Sequence, residues 1–221
     1  MNNIQVHIGE MLARNARVYP DEVALIERTP AENKRRAITW REFDRDANRF
    51  SQVLREMGIK KGDKVMHLMF NSMEWLVAYF GIIRTGAWVV PLNFRFTAED
   101  IKYSADVAEP QVFIFDEAFK DRVEAVKDKL SYVGDYICVG EETPPFAKSY
   151  SALLSGASAD PLDVNITFDD PCGLYFTSGT TGRPKPILLT HRNMEHACIA
   201  ENRHHLQTKE DVFILIPPLY H

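Results

Sequence analysis

Cysteine is scarce in this 221-residue chain. There are three, Cys138, Cys172 and Cys198, widely spaced and odd in number. No two have metal-ligand spacing, and no disulfide framework is expected. Each reads as a small buried apolar residue, and the sparse usage fits a reducing, cytoplasmic compartment. Long apolar runs are missing too. The nearest, residues 75–83, is flanked by Glu74 and Arg84. It falls well short of the roughly 18 residues a membrane helix needs. The opening MNNIQVHIGEML has no basic stretch followed by an apolar core, so it does not read as a secretory signal. An excess of basic charge is also absent: 26 Lys and Arg stand against 31 Asp and Glu, for a net charge of −5. Such a chain is a poor match to nucleic acid or an anionic membrane, because phosphate backbones select positive surfaces. The two basic clusters, Lys34-Arg35-Arg36 and Lys60-Lys61, are short and read as solvated turns. No repeat of fixed period and no low-complexity tract is found.

What is present is an ordinary globular composition, 45% hydrophobic and 26% charged, with enough chain for a sizeable core. Residues 5–18 are loosely helical and stop at Pro20. VALIER (23–28) and RAITW (36–40) read as paired strands around a polar turn. Thr39 and Glu42 form a capping-box pattern that opens an amphipathic helix ending at Gly58. KVMHLMF (64–70) reads as a buried strand. Asn71 or Ser72 caps a helix over 73–84, and AWVVPL (87–92) is the next strand. A second cycle follows: a helix from Thr97, a strand at 111–115, a charged helix over about 117–130 and a strand at 135–140. Strands alternating with helices predict an α/β fold with a largely parallel sheet.

Residues 141–170 are rich in turn signals. Two strands follow, 172–178 and 185–191, then a helix over 192–206. The apolar run 211–221 reads as a last strand. A chain that stops inside such an element looks truncated.

The stretch Thr177-Ser178-Gly179-Thr180-Thr181-Gly182-Arg183-Pro184-Lys185 carries the chemistry. Thr177, Ser178, Thr180 and Thr181 supply hydroxyls. Gly179 and Gly182 can take positive φ, so that backbone N–H groups converge, and Lys185 adds a full charge. Donors and charge together suit a polyphosphate, whose oxygens are all acceptors. Pro184 and Pro186 flank the lysine and a strand follows, so this is not the Gly-Lys-Ser/Thr loop of a P-loop phosphotransferase, which opens a helix. From composition alone, a hydrophilic hairpin turn without a ligand remains the alternative.

TSGTTGRPK, followed by PILLTHRN, closely resembles the phosphate-loop signature of the adenylate-forming (AMP-binding) enzyme superfamily. ANRFSQVLREMGIKKGDKV and NSMEWLVAYFGIIRTGAWVVPLNFRFTAEDI are similar to the first part of an acyl-CoA synthetase (fatty-acid–CoA ligase). PPLYH resembles the next motif of that family. The resemblance implies an incomplete N-terminal domain in three parts. Residues 1–60 would pack with elements that follow residue 221. Residues 61–206 would form the α/β subdomain carrying the loop 177–185, and 207–221 would begin the next subdomain. It implies ATP, Mg2+ and coenzyme A as cofactors and a small-molecule carboxylate as substrate. Thr177, Ser178, Gly179, Thr180, Thr181, Gly182 and Lys185 would hold the phosphates, Lys185 as their charge partner, and His221 would position the carboxylate. No metal-ligating side chain is implied.

Pro186 departs from the family's glycine and removes a donor, which predicts a weaker phosphate grip. Missing partners for residues 1–60 predict bare apolar surface, with self-association or partial disorder of that segment. A non-catalytic nucleotide- or partner-binding module is the rival reading. His191, His196, His204 and His205 share one predicted helix without zinc-protease spacing and read as solvated or capping residues. Asp169-Asp170 before Pro171 reads as a turn. Trp75, Tyr79 and Phe80 read as a helix core face.

Overall fold

The computed structural model describes residues 6–177 and 183–220. It opens with α1 (Ile8–Val18), followed by the strands β1 (Val23–Thr29) and β2 (Lys34–Thr39). These pair antiparallel with each other as a separate two-stranded sheet. The cluster Lys34–Arg36 therefore lies in a strand rather than a turn. The reason is a cross-strand pair of opposite charge: Arg36 stands opposite Glu27 and binds it at 3.0 Å, and also binds Glu74 at 2.7 Å. Helix α2 (Trp40–Glu56) starts with the expected capping box. The Glu42 N–H donates to Thr39 Oγ1 at 3.2 Å, and the Thr39 N–H donates to Glu42 Oε2 at 2.7 Å. Gly58, at φ 86°, carries the chain away from the helix end.

The main sheet then assembles from β3 (Lys64–Leu68), α3 (Met73–Arg84), β4 (Trp88–Pro91), α4 (Ala98–Ala108), β5 (Val112–Asp116), α5 (Lys120–Lys127), β6 (Asp135–Val139), β7 (Lys148–Ser149) and α6 (Tyr150–Gly156). It finishes with β8 (Pro171–Thr177), β9 (Lys185–Thr190) and α7 (His191–His205). The strand order is β7-β6-β5-β3-β4-β8-β9. Every neighbouring pair is parallel except β8 with β9, which is antiparallel. The chain enters at β3, adds β4 on one side, then crosses over to build β5, β6 and β7 on the other. In an open sheet of this kind, ligands bind outside the carboxyl ends of the strands.

Both faces are covered, which explains why the strands read as continuous apolar runs. Val65, Val89, Val112, Ile114 and Ile137 join the core built on α1, α2 and α3. Their alternates, including Met66, Leu68, Val90, Phe113 and Phe115, join the core under α4 and α5. Gly81 allows α3 to lie close on α2, since a Cβ there would sit 2.8 Å from the Phe50 ring. Phe50 and Leu54 are fully buried at that contact, and truncating either to alanine costs about 2–5 kcal/mol.

Three further expectations need correcting. The helix expected over 117–130 is a 3₁₀ turn, Glu117–Phe119, followed by the shorter α5. Asp116 caps that turn by accepting from the Ala118 N–H at 2.9 Å. The apolar run 211–220 forms no strand. It finds no partner ladder among the described residues, and Val212, Ile214 and Ile216 are more than 80% exposed. Apolar character without a neighbouring strand does not specify pairing. Cys138 and Cys172 are buried as expected, but Cys198 is exposed, because only the first residue of α7, His191, is buried.

Candidate functional site

The phosphate-loop sequence connects β8 to β9. Thr177 ends β8, stands opposite Lys185 at the start of β9, and donates weakly from Oγ1 to the Lys185 carbonyl at 3.5 Å. Ser178, Gly179, Thr180, Thr181, Gly182 and His221 lie outside the described residues. Thr177, Arg183 and Lys185 are all exposed. Among the described residues, neither Arg183 nor Lys185 has a carboxylate within ion-pair distance. Arg183 instead lies over the Tyr103 ring of α4, 5.3 Å from its centroid. The lysine and arginine thus reach solvent with their charges uncompensated, at the carboxyl end of β8.

The base of the hairpin is rigidly held. The Tyr175 hydroxyl, inside β8, hydrogen-bonds the Tyr79 hydroxyl of α3 at 3.0 Å, and both side chains are buried. Burial pushes both hydroxyls well above their ordinary pKa. Thr190 opens α7 with a capping box to Asn193. Asp169 and Asp170 form the turn expected of them and act as fasteners. Asp169 accepts the Arg192 fork at 2.6 and 2.8 Å, which lowers its pKa. Asp170 accepts from Lys61 at 2.6 Å and from the Thr167 N–H at 2.6 Å. Lys61 is therefore tethered rather than freely solvated. Pro186 sits in β9, an edge strand, where a missing N–H is tolerated.

The segment before His221 comes to the same edge of the sheet. Ser72 caps α3, which leaves Asn71 free to clamp residues 217–219. Asn71 Nδ2 donates to the Pro217 carbonyl at 2.9 Å, and Oδ1 accepts from the Leu219 N–H at 2.9 Å. Tyr220 packs edge-on against Phe94, just beyond β4, at 5.4 Å. The carboxyl ends of β3, β4 and β8 thus carry Asn71, Phe94 and Thr177 respectively.

His191 is buried beside His7, with ring centroids 5.4 Å apart, and burial lowers its pKa to about 4. Among the described residues, no three His, Cys, Asp or Glu side chains are placed to hold a metal ion. No described helix is long and apolar enough to cross a membrane. The Tyr79–Tyr175 pair, the Asn71 clamp and the Arg183–Tyr103 stack were not legible in the sequence, because each joins residues far apart in the chain.

Comparison with known proteins decides the family. Residues 12–221 match the family described as AMP-binding enzyme. The chain belongs to the AMP-binding enzyme family. It is 27% identical over 97% of its length to a crotonobetaine/carnitine–CoA ligase from Proteus mirabilis, and covers 42% of that protein. It is 32% identical over 86% of its length to a long-chain-fatty-acid–CoA ligase from Mycobacterium tuberculosis, covering 36% of it. Among solved structures, an anthranilate CoA ligase in complex with anthranoyl-AMP superposes with a TM-score of 0.82 at 25% identity. That match covers 89% of this chain and 37% of the ligase. The AMP-binding chain thus spans about two fifths of the length of these relatives, and it matches their N-terminal part.

Proposed function

We propose that this chain is the phosphate-gripping N-terminal part of an AMP-forming acyl-CoA synthetase of the cytoplasm. In the first step a carboxylate oxygen of a small-molecule acid attacks the α-phosphorus of Mg·ATP. A P–O bond forms, the bond to the β-phosphate oxygen breaks, and pyrophosphate leaves. In the second step the thiol of coenzyme A attacks the acyl carbonyl, and AMP leaves with the electron pair of the broken C–O bond. The first step gains most from charge stabilisation on the departing pyrophosphate.

Thr177 and the hydroxyls and N–H groups of Ser178, Gly179, Thr180, Thr181 and Gly182 would wrap the β- and γ-phosphates. Lys185 would add its charge, and His221 would position the carboxylate. Mg2+ would arrive with the ATP phosphates. The 221 residues alone would bind nucleotide without turning it over.

The observation that supports this reading is the pair of exposed, uncompensated cations, Arg183 and Lys185, on a hairpin anchored at the carboxyl edge of a parallel sheet. Binding of Mg·ATP, Mg·ADP and AMP by the chain tests it. A loop that holds the β- and γ-phosphates ranks them ATP, then ADP, then AMP. Lys185→Ala removes one charge-assisted contact worth about 1.5–3 kcal/mol, so ATP affinity falls about 10- to 150-fold. AMP binding as tightly as ATP, or Lys185→Ala leaving ATP affinity unchanged, refutes the reading.

A further inference from the structure

Helix α4 packs on the same core as the strand that leads into the phosphate hairpin. Ile101, Ala105 and Ala108 are buried in that core, and Leu174 and Phe176 of β8 pack against it. Tyr103 lies off that face of α4. It is half-buried and belongs to neither apolar core. Its hydroxyl makes no hydrogen bond among the described residues. What the ring does contact is the Arg183 guanidinium, 5.3 Å from its centroid. That lies inside the roughly 6 Å over which a cation–π contact attracts.

Arg122 and Arg192 stack on rings as well, and both use their donors inside the chain. Arg122 lies over Phe119 and donates to the Phe94 and Phe96 carbonyls at 2.8 and 3.1 Å. Arg192 lies over Phe168 and donates to Asp169 at 2.6 and 2.8 Å. Arg183 is exposed, and among the described residues its guanidinium donates to nothing and pairs with no carboxylate. Stacking engages only the flat face of a guanidinium. Its five N–H donors lie in the plane, in the fork that matches phosphate oxygens in pairs. Arg183 is thus a charge held in place with its hydrogen-bonding edge free.

A loose arginine loses side-chain entropy when a ligand fixes it, and a guanidinium already resting on a ring loses less. Arg183 also stands two positions before Lys185, which is likewise exposed and without a carboxylate partner among the described residues. Two such cations side by side suit an anion of more than one charge. We propose that Tyr103 is a positioning residue for the hairpin: its ring holds Arg183 ready to take oxygens of the β- and γ-phosphates beside Lys185, and so favours ATP and ADP over AMP. This role rests on the polyphosphate reading and deepens it, since neither Tyr103 nor Arg183 is among the residues proposed to wrap the phosphates.

The test is binding of Mg·ATP, Mg·ADP and AMP to the full chain and its variants, with the Arg183 side-chain protons followed by NMR. In the free wild-type chain the Tyr103 ring current shifts the Arg183 Hδ protons upfield. The shift survives Tyr103→Phe and is lost in Tyr103→Leu. Tyr103→Leu weakens Mg·ATP binding about two- to fivefold, the worth of an exposed cation–π contact, and leaves AMP unchanged. Tyr103→Phe keeps the ring and restores the affinity. Arg183→Gln weakens Mg·ATP about tenfold or more, and adding Tyr103→Leu to it has no further effect. Four results overturn the proposal: no upfield shift in the wild type, Mg·ATP affinity in Tyr103→Leu equal to or above wild type, an equal loss for AMP, or the same loss in the Arg183→Gln background. The last would make Tyr103 a packing residue of α4. A wild type that does not rank ATP above AMP overturns the polyphosphate reading and this role with it. A wild type that ranks them, with Lys185→Ala weakened and Tyr103→Leu unaffected, overturns this role alone.

Discussion

Replacing Tyr79 by phenylalanine takes from the buried Tyr175 hydroxyl of β8 its one partner among the described residues, 3.0 Å away. Both rings are buried, so the effect is one of stability at the hairpin base. An orphaned buried hydroxyl costs about 1–3 kcal/mol, and Tyr175→Phe orphans Tyr79 at the same cost. Removing both hydroxyls leaves two apolar rings in the same space and costs far less than the sum. The cycle therefore gives a coupling energy of about 1–3 kcal/mol. For a chain of this size each kcal/mol lowers Tm by about 2–4 °C, and urea midpoints read the same difference.

The pH dependence gives a second readout. Burial raises both hydroxyls above their unfolded value near 10. Their contribution is thus complete below about pH 10 and is lost as pH rises, because the unfolded chain ionises first. The double variant should lose less stability between pH 9 and 11 than wild type. Additive single effects, or an unchanged alkaline limb, would refute the assignment of this pair as the anchor of β8.

Two further outcomes are expected. His67 is fully buried on β3, stacked on Trp75 at 4.7 Å, and neither ring nitrogen has a partner among the described residues. Burial lowers its pKa to about 3. The unfolded chain therefore takes up a proton near pH 6.5 that the folded chain refuses, and stability falls as pH drops from 6.5 towards 3. His67→Leu should remove about 2 kcal/mol of that loss between pH 6.5 and 5, read as a flatter urea-midpoint profile. The exposed run Val212, Phe213, Ile214, Leu215 and Ile216 should drive self-association of the chain. Ile214→Lys with Ile216→Lys should shift light-scattering mass towards the monomer, whereas an unchanged mass would place the contact elsewhere.

Much of the fold was legible because its signals are local. The caps at Thr39, Ser72 and Thr97 each act within three residues, and the structure has all three. The alternation of strands and helices gave the α/β class and the parallel sheet. The loop from Thr177 to Lys185 was recognisable because nine adjacent residues carry its chemistry. What stayed hidden depends on distant partners. Tyr79 and Tyr175 are 96 positions apart, and Asn71 reaches across 146 to Pro217. The run 211–216 misled because apolar side chains describe where a strand would be content, not whether a neighbour exists to pair with it. Lys34 and Arg35 misled in the opposite sense, since a basic pair reads as a solvated turn until β2 is seen to pair them with Thr29 and Arg28.

The central claim is that the hairpin between β8 and β9 grips a polyphosphate. Its most direct test is an amide-shift titration of the chain with Mg·ATP, mapping where the nucleotide lands. The account predicts saturable shifts at Thr177, Arg183 and Lys185, little change at Asp170 and His191 at the opposite end of the hairpin, and loss of the shifts in Lys185→Ala. Saturable shifts confined to other parts of the chain, with Thr177 and Lys185 unmoved, would contradict it.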